Sequence, residues 1–149
     1  MGAAVGRVHR AGRGRRVTLT IERLGHLGDG IAPGPVYVPR TLPGEEVTGE
    51  VLGDRLPEPR IVTPSPDRVT PPCPHYRACG GCQLMHASDR FVARWKAETV
   101  SRALAAQGLP APIRKVSVSP EESRRRAVFS GRRTKKGALV GFHARASET

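Results

Sequence analysis

The sequence has 149 residues, which is room for one ordinary domain or two small ones and excludes a large multidomain enzyme. Its 25 Lys and Arg outnumber 13 Asp and Glu, and the net charge of +12 favours a polyanionic partner. No apolar run approaches the roughly 20 residues that span a bilayer, and the first residues lack the apolar stretch of a secretory signal. We therefore expect a cytoplasmic, monomeric protein without membrane contact.

The charge is distributed unevenly along the chain. Residues 1–16 contain five Arg and no acidic residue, residues 17–72 contain five Arg and eight acidic residues, and residues 73–149 contain fifteen Lys or Arg and five acidic residues. This distribution predicts at least two units with different surfaces. Residues 1–15 are predicted to form a basic, disordered tail, and such a tail can also become ordered on nucleic acid.

Short strands separated by turns are predicted for residues 16–64. Residues 16–22 alternate apolar and polar side chains, and residues 46–52 alternate again, with Val47 and Val51 facing inward. Gly and Pro mark the turns between these runs. The pattern indicates a small OB-like β-barrel, which would either bind nucleic acid or serve as a spacer.

A Pro-rich connector with the cysteine cluster, residues 65–86, separates the barrel from a partial α+β subdomain over residues 87–149. A helix is predicted at about 88–107, with Ser88 as its N-cap and Gly108 as a stop signal. Three strands are predicted after it, at residues 113–118, 127–129 and 138–142. The predicted fold is therefore β-rich, with a small barrel followed by a partial α+β subdomain.

Seven cationic side chains lie between residues 124 and 136. They are Arg124, Arg125, Arg126, Arg132, Arg133, Lys135 and Lys136. The last four fall in a predicted hairpin loop, residues 131–137, between two strands. A solvated loop would have a similar composition, but the charge density favours contact with the phosphate backbone of RNA.

All three cysteines, Cys73, Cys79 and Cys82, lie within ten residues. An odd number of clustered thiols in a cytoplasmic chain does not suit a disulfide framework. The two glycines between the last two cysteines allow a tight turn, which brings sulfurs together and lets backbone N–H groups face them. The spacing favours a metal site over three unligated thiols. Zinc would take a fourth ligand from His75 or His86, whereas most iron–sulfur clusters need four thiolates.

Several short runs of the sequence match one enzyme family. The most specific are PCPHY at residues 72–76 and CGGCQ at residues 79–83. These runs resemble the cluster-binding segment of bacterial RNA uracil-5-methyltransferases, those of the 23S rRNA type in particular. Other runs resemble the TRAM domain that opens those enzymes: GDGIA at 28–32, VYVP at 36–39, LPGEEV at 42–47 and SPDR at 65–68. Two later runs, RRRA at 124–127 and GFH at 141–143, resemble their central α+β subdomain.

The resemblance implies an enzyme of three parts. A TRAM barrel would grip RNA, a central subdomain would hold a four-iron, four-sulfur cluster through four cysteines, and a Rossmann-like domain would bind S-adenosylmethionine. The implied reaction is methyl transfer to C5 of a uracil, with rRNA as the first candidate substrate and tRNA as the second. The resemblance also implies that Cys73, Cys79 and Cys82 are three of the four cluster ligands.

Parts of the family's pattern do not occur in these 149 residues. The fourth cluster cysteine, which in the family follows soon after the strand corresponding to Gly141 and Phe142, does not appear, and no Gly-rich cofactor loop follows a strand. We therefore expect no Rossmann-like domain, no catalytic or cofactor-binding residue, and no methyl transfer by this chain alone. The residues would be the N-terminal part of a longer enzyme.

Two other functions remain open from the sequence. The chain would be an autonomous small RNA-binding protein if its cysteines, with His75 or His86, hold zinc in a Cys3His site. It would be a stand-alone RNA chaperone of the TRAM type if the cysteines bind no metal.

Overall fold

A computed structural model describes residues 15–145, which divide after Ser65 into two compact units. The strands are β1 (Arg15–Thr20), β2 (Arg23–Leu24), β3 (Gly30–Ala32), β4 (Val36–Val38), β5 (Glu46–Val51), β6 (Arg60–Thr63), β7 (Ser130–Thr134) and β8 (Gly137–Gly141), and the helix is α1 (Asp89–Ala106). The predicted basic tail lies outside the described residues, apart from Arg15, which begins β1.

Two small antiparallel sheets build the first unit. One has the strand order β1-β5-β6 and the other β2-β3-β4. β1 pairs with β5 along its whole length, from Arg15 opposite Val51 to Thr20 opposite Glu46. The predicted β-rich fold is confirmed. Of the predicted OB-like barrel, the described strands form two three-stranded sheets that are not closed into a barrel, and Tyr37 of the edge strand β4 forms a single parallel bridge with Arg55.

The core of the first unit follows from the alternation of its strands. Val17 and Leu19 of β1 pack against this core, as expected for a strand with one buried face. Val47 is fully buried and Val51 packs beside it, which confirms the inward orientation predicted for both. The buried members of the cluster are Ile21, Ala32, Val38, Val47 and Leu56.

A buried carboxylate closes one end of the first unit. Glu45 is 0% exposed, and its two oxygens accept hydrogen bonds from the backbone N–H of Leu42, at 2.9 Å, and of Ser65, at 3.1 Å. Burying a carboxylate is costly unless its oxygens are hydrogen-bonded, so these contacts allow Glu45 to lie inside. The side chain ties the turn before β5 to the end of the unit.

The helix of the second unit confirms the predicted one. Ser88 is its N-cap, and the Ser88 hydroxyl accepts a hydrogen bond from the N–H of Phe91 at 3.2 Å. The same hydroxyl lies 2.8 Å from a carboxylate oxygen of Asp67, which fixes the start of the helix against the connector. Gly108, with a φ of 69°, follows the end of the helix. Phe91 is the buried residue of α1.

Of the three strands predicted after the helix, the one at 138–142 is confirmed by β8 (Gly137–Gly141), and the other two are not formed. Residues 109–120 are exposed and belong to no helix or strand, so the predicted strand at 113–118 is wrong. Its apolar residues find no partner strand within residues 15–145, and an unpaired strand is not stable. The predicted strand at 127–129 is also wrong, because the ladder begins at Ser130 opposite Gly141.

The hairpin β7–β8 has a two-residue loop. Thr134 pairs with Gly137, and the Thr134 hydroxyl donates to the Gly137 carbonyl at 3.0 Å across the turn. All pairs between the named strands are antiparallel, so the described residues contain no sheet of the Rossmann type. None of the described helices is both long and apolar enough to cross a membrane.

Candidate functional site

The cysteine loop, residues 73–82, is a series of tight turns in the second unit. The Tyr76 N–H donates to the Cys73 carbonyl at 3.1 Å, and the Cys79 N–H donates to the His75 carbonyl at 2.8 Å. Cys73 and Cys79 are half-buried and Cys82 is exposed, and all three are free thiols. The structure therefore keeps the three predicted ligands on one short loop.

A backbone N–H faces one of the sulfurs. The Gly81 N–H donates to the Cys79 sulfur at 3.3 Å, which confirms that the two glycines let the backbone turn toward a thiol. Three soft thiol donors and an N–H directed at a sulfur suit a thiophilic metal or an iron–sulfur cluster. Within residues 15–145, however, no three Cys, His, Asp or Glu side chains are gathered into a group that could hold a metal ion. The three thiols are therefore the right kind of ligand for such a group, but in this structure their side chains are not gathered around one position.

The cysteine loop pairs with the segment that follows β8. Cys79 and Ala144 form an antiparallel bridge. On either side of it, the Gly80 N–H donates to the His143 carbonyl at 2.9 Å and the Arg145 N–H donates to the Ala78 carbonyl at 2.8 Å. A Cβ atom at Gly80 would lie 3.1 Å from the His143 carbonyl oxygen, so glycine permits this close approach.

Arg145 contacts the cysteine loop with its side chain as well. Its guanidinium donates to the Cys82 carbonyl at 3.1 Å and lies over the Tyr76 ring, 5.6 Å from the ring centroid. The Nε atom of Arg145 is buried and has no hydrogen-bond partner among the described residues. An unpaired buried N–H is costly, so this atom marks a position where an acceptor would be stabilised.

Tyr76 and His86 support the loop from inside. Both are buried, and the Tyr76 hydroxyl lies 2.6 Å from the Gln83 carbonyl and 2.6 Å from Nδ1 of His86. A hydroxyl has one proton, so if Tyr76 donates to Gln83, Nδ1 of His86 donates to Tyr76. His86 is thus a bracing residue of the loop, whereas His75, the other predicted zinc ligand, is exposed.

The seven predicted RNA-contacting side chains are all exposed. Arg124, Arg125 and Arg126 lie in a segment without helix or strand, and Lys135 and Lys136 form the hairpin turn. None of the seven forms an ion pair with an acidic side chain in the described part of the chain. Their charge is therefore available to a polyanion.

The position of two of these arginines differs from the prediction. Arg132 and Arg133 lie on strand β7, not in the loop, and are paired with Leu139 and Ala138. Successive side chains of a strand point to opposite faces, so Arg132 and Arg133 do not share a surface. The predicted loop at 131–137 is therefore wrong in its bounds, because the ladder extends to Thr134 opposite Gly137 and leaves only Lys135 and Lys136 in the turn.

Comparisons with known proteins identify relatives of the chain, although no family model matches it. An uncharacterized RNA methyltransferase of Caulobacter vibrioides is 42% identical over 87% of this chain. A similar protein of Halalkalibacterium halodurans is 46% identical over 61% of the chain. A protein of Chromohalobacter salexigens, named 23S rRNA (uracil(1939)-C(5))-methyltransferase RlmD, is 38% identical over 87% of the chain.

The chain is homologous to bacterial RNA methyltransferases. The resemblance predicted from the sequence runs is thereby confirmed. The alignments cover 32%, 21% and 30% of the three relatives, so the chain spans about a third of their length or less.

Two residues that contact the cysteine loop were not predicted from the sequence. Ala144 and Arg145 contact the cysteine loop from a segment more than sixty positions away, and neither belongs to a metal-binding motif. A signal for them existed in Gly80, because a glycine next to a ligand often marks the close approach of another backbone. That signal points to a close approach but does not identify its partner.

Proposed function

We propose that this chain is the RNA-binding and metal-holding N-terminal portion of an enzyme that transfers a methyl group from S-adenosylmethionine to C5 of a uracil in RNA. The observation that carries the proposal is its similarity, at 38% identity over 87% of the chain, to a protein named as a 23S rRNA uracil-C5 methyltransferase. That name makes 23S rRNA the first candidate substrate, and tRNA is the second.

The charge and exposure of the second unit support RNA binding. Its cationic side chains between residues 124 and 136 are exposed and lack acidic partners among residues 15–145. Lysine and arginine side chains of this kind displace the counterions of a phosphate backbone, which contributes affinity independent of base sequence. This surface would hold RNA without selecting the uracil.

The cysteine loop supports a sulfur-rich metal site. Cys73, Cys79 and Cys82 would supply three ligands of a four-iron, four-sulfur cluster, and the fourth would come from outside the described residues. When bound, such a cluster would supply a rigid cross-link between the turns of the loop. The Gly81 N–H, which donates to the Cys79 sulfur, would stabilise negative charge on that ligand.

A division of labour follows from this assignment. All three cysteines of the chain are used as ligands, so none is left to attack C6 of a uracil. The two units would hold RNA and the cluster, and a Rossmann-like domain of the whole enzyme would bind S-adenosylmethionine. The chain alone would bind RNA and leave it unmethylated.

RNA binding is tested with the 149-residue chain, 23S rRNA fragments, tRNA and double-stranded DNA of matched length in filter-binding assays at one salt concentration. The proposal predicts that an rRNA fragment or tRNA binds more tightly than the DNA, and the tighter of the two RNAs becomes the preferred candidate substrate. Equal affinity for all three would reduce the function to general polyanion binding.

The metal site is tested by anaerobic reconstitution with ferrous iron and sulfide, and in parallel with zinc. The proposal predicts a brown protein with stoichiometric iron and sulfide, which is lost in Cys79→Ser and kept in the neighbouring control Ala78→Ser. A colourless product with one bound zinc would support the alternative, an autonomous RNA-binding protein with a Cys3His site. No metal uptake, with RNA affinity unchanged in Cys79→Ser, would support the RNA-chaperone alternative.

A further inference from the structure

We propose that Arg145 is a positioning residue of the cysteine loop, which it holds in shape and supplies with positive charge for a sulfur-bound metal. This inference rests on the metal-holding part of the proposed function. It concerns a residue that belongs to none of the runs in which the family resemblance was recognised.

Three contacts of Arg145 reach three different parts of the loop. Its backbone N–H bonds the Ala78 carbonyl, just before Cys79. Its guanidinium bonds the Cys82 carbonyl, and the face of the guanidinium lies over the Tyr76 ring. Arg145 therefore fixes the backbone on both sides of the turn between Cys79 and Cys82.

The electrostatics of Arg145 point to an anionic occupant. It has no carboxylate partner among the described residues, and its buried Nε–H is unpaired. Thiolates bound to a metal carry negative charge, and a guanidinium hydrogen-bonded to the Cys82 backbone would stabilise that charge. The cost of the unpaired N–H would fall once the sulfur-rich group is present.

Replacing Arg145 by lysine distinguishes the effect of its positive charge from the effect of its side-chain geometry. Lysine keeps the positive charge but lacks the planar fork that bonds one carbonyl while stacking on an aromatic ring. Arg77 offers a matched control, because it is an exposed arginine in the same loop. Its side chain forms no hydrogen bond, ion pair or ring contact with any residue among 15–145. The test therefore compares Arg145→Ala, Arg145→Lys and Arg77→Ala with the unmodified chain.

Two measurements are made on each protein. The first is the rate at which a chelator removes iron after anaerobic reconstitution with ferrous iron and sulfide. The second is hydrogen exchange of residues 78–82 in the metal-free chain, which reports the bond from the Gly80 N–H to His143.

The proposal predicts that Arg145→Ala loses iron about tenfold to a hundredfold faster, because replacing residues that orient metal ligands lowers metal affinity by about that factor. Its residues 78–82 exchange faster, and Arg77→Ala matches the unmodified chain in both measurements. Arg145→Lys retains iron better than Arg145→Ala but does not restore the exchange protection.

Three results would overturn the inference or part of it. Equal iron loss in Arg145→Ala and Arg77→Ala would remove Arg145 from the site. Identical behaviour of Arg145→Lys and Arg145→Ala in both measurements would reduce its role to structure alone. If the unmodified chain takes up no iron, the metal proposal fails, and unchanged exchange in Arg145→Ala would then overturn the positioning role separately.

Discussion

Ala144 lies directly opposite Cys79 in the antiparallel pair that joins the end of β8 to the cysteine loop. The two flanking hydrogen bonds belong to Gly80 and Arg145, so Cys79 and Ala144 form a non-hydrogen-bonded pair. Side chains approach more closely in such pairs than in hydrogen-bonded ones. Backbone pairing therefore joins the segment that follows the basic hairpin to the cysteine loop.

Ala144→Cys is expected to form a disulfide with Cys79 under mild oxidation. The Cα atoms of a non-hydrogen-bonded pair lie about 4.5 Å apart, which falls within the range of about 4.4–6.8 Å that disulfides accept. Peptide mapping by mass spectrometry without reduction would detect the cross-link. Ala138→Cys, on β8 opposite Arg133, serves as the control and should keep a free thiol. A free thiol in Ala144→Cys after oxidation would contradict the pairing.

Gly80→Ala is expected to weaken the contact between the cysteine loop and the segment after β8. The added Cβ would meet the backbone oxygens of His143, at 3.1 Å, and Ala144, at 3.3 Å. We expect a cost of about 1–3 kcal/mol, as for other overpacked sites, measured by hydrogen exchange at the Arg145 amide. Gly131→Ala is the control, because nothing lies within 4 Å of its added Cβ. Equal hydrogen-exchange protection of the Arg145 amide in both variants would show that the cysteine loop accommodates the added methyl group without strain.

Glu45→Ala is expected to destabilise the first unit by about 1–3 kcal/mol, because the N–H groups of Leu42 and Ser65 would lose their buried acceptor. Chemical denaturation followed by circular dichroism measures the change. Glu50→Ala removes the same charge from an exposed position on β5 and should change the stability by less. A loss in Glu50→Ala as large as that in Glu45→Ala would assign the effect to charge.

The sequence predicted the fold correctly where the structure of a strand or helix depends mainly on its own residues. Val47 and Val51 were placed inward by alternation, and the helix was placed by the Ser88 cap and the Gly108 stop. The predicted strand at 113–118 failed because strand formation depends on a partner, which its own composition does not reveal. The same limit applies to barrel closure, which is decided by pairing between edge strands.

The sequence predicted which residues form the cysteine loop, but not which residues from other segments contact it. The spacing of Cys73, Cys79 and Cys82 identified a thiol loop, and the two glycines predicted an N–H directed at a sulfur. Ala144 and Arg145 were not predictable, because tertiary pairing alone brings them to the loop. The separation of Arg132 from Arg133 required the strand bounds, since a shift of one residue changes which face a side chain occupies.

The salt dependence of RNA affinity tests most directly the claim that the second unit holds RNA. The variant to measure is the combined replacement of Arg132, Arg133, Lys135 and Lys136 by Ala. Its charge-matched control replaces Arg90, Lys96, Arg114 and Lys115, which are exposed cations outside the hairpin. Single Arg132→Ala and Arg133→Ala variants show which face of the hairpin meets RNA.

One face of the hairpin presents at most one of the two arginines together with the two turn lysines. The combined variant is therefore expected to lose about three phosphate contacts, and the magnitude of the slope of log K against log salt falls by about 2 to 3. The control keeps the slope of the unmodified chain, and one of the two single variants accounts for most of the arginine effect. An unchanged slope in the combined variant, with the control behaving identically, would contradict RNA binding by the basic hairpin.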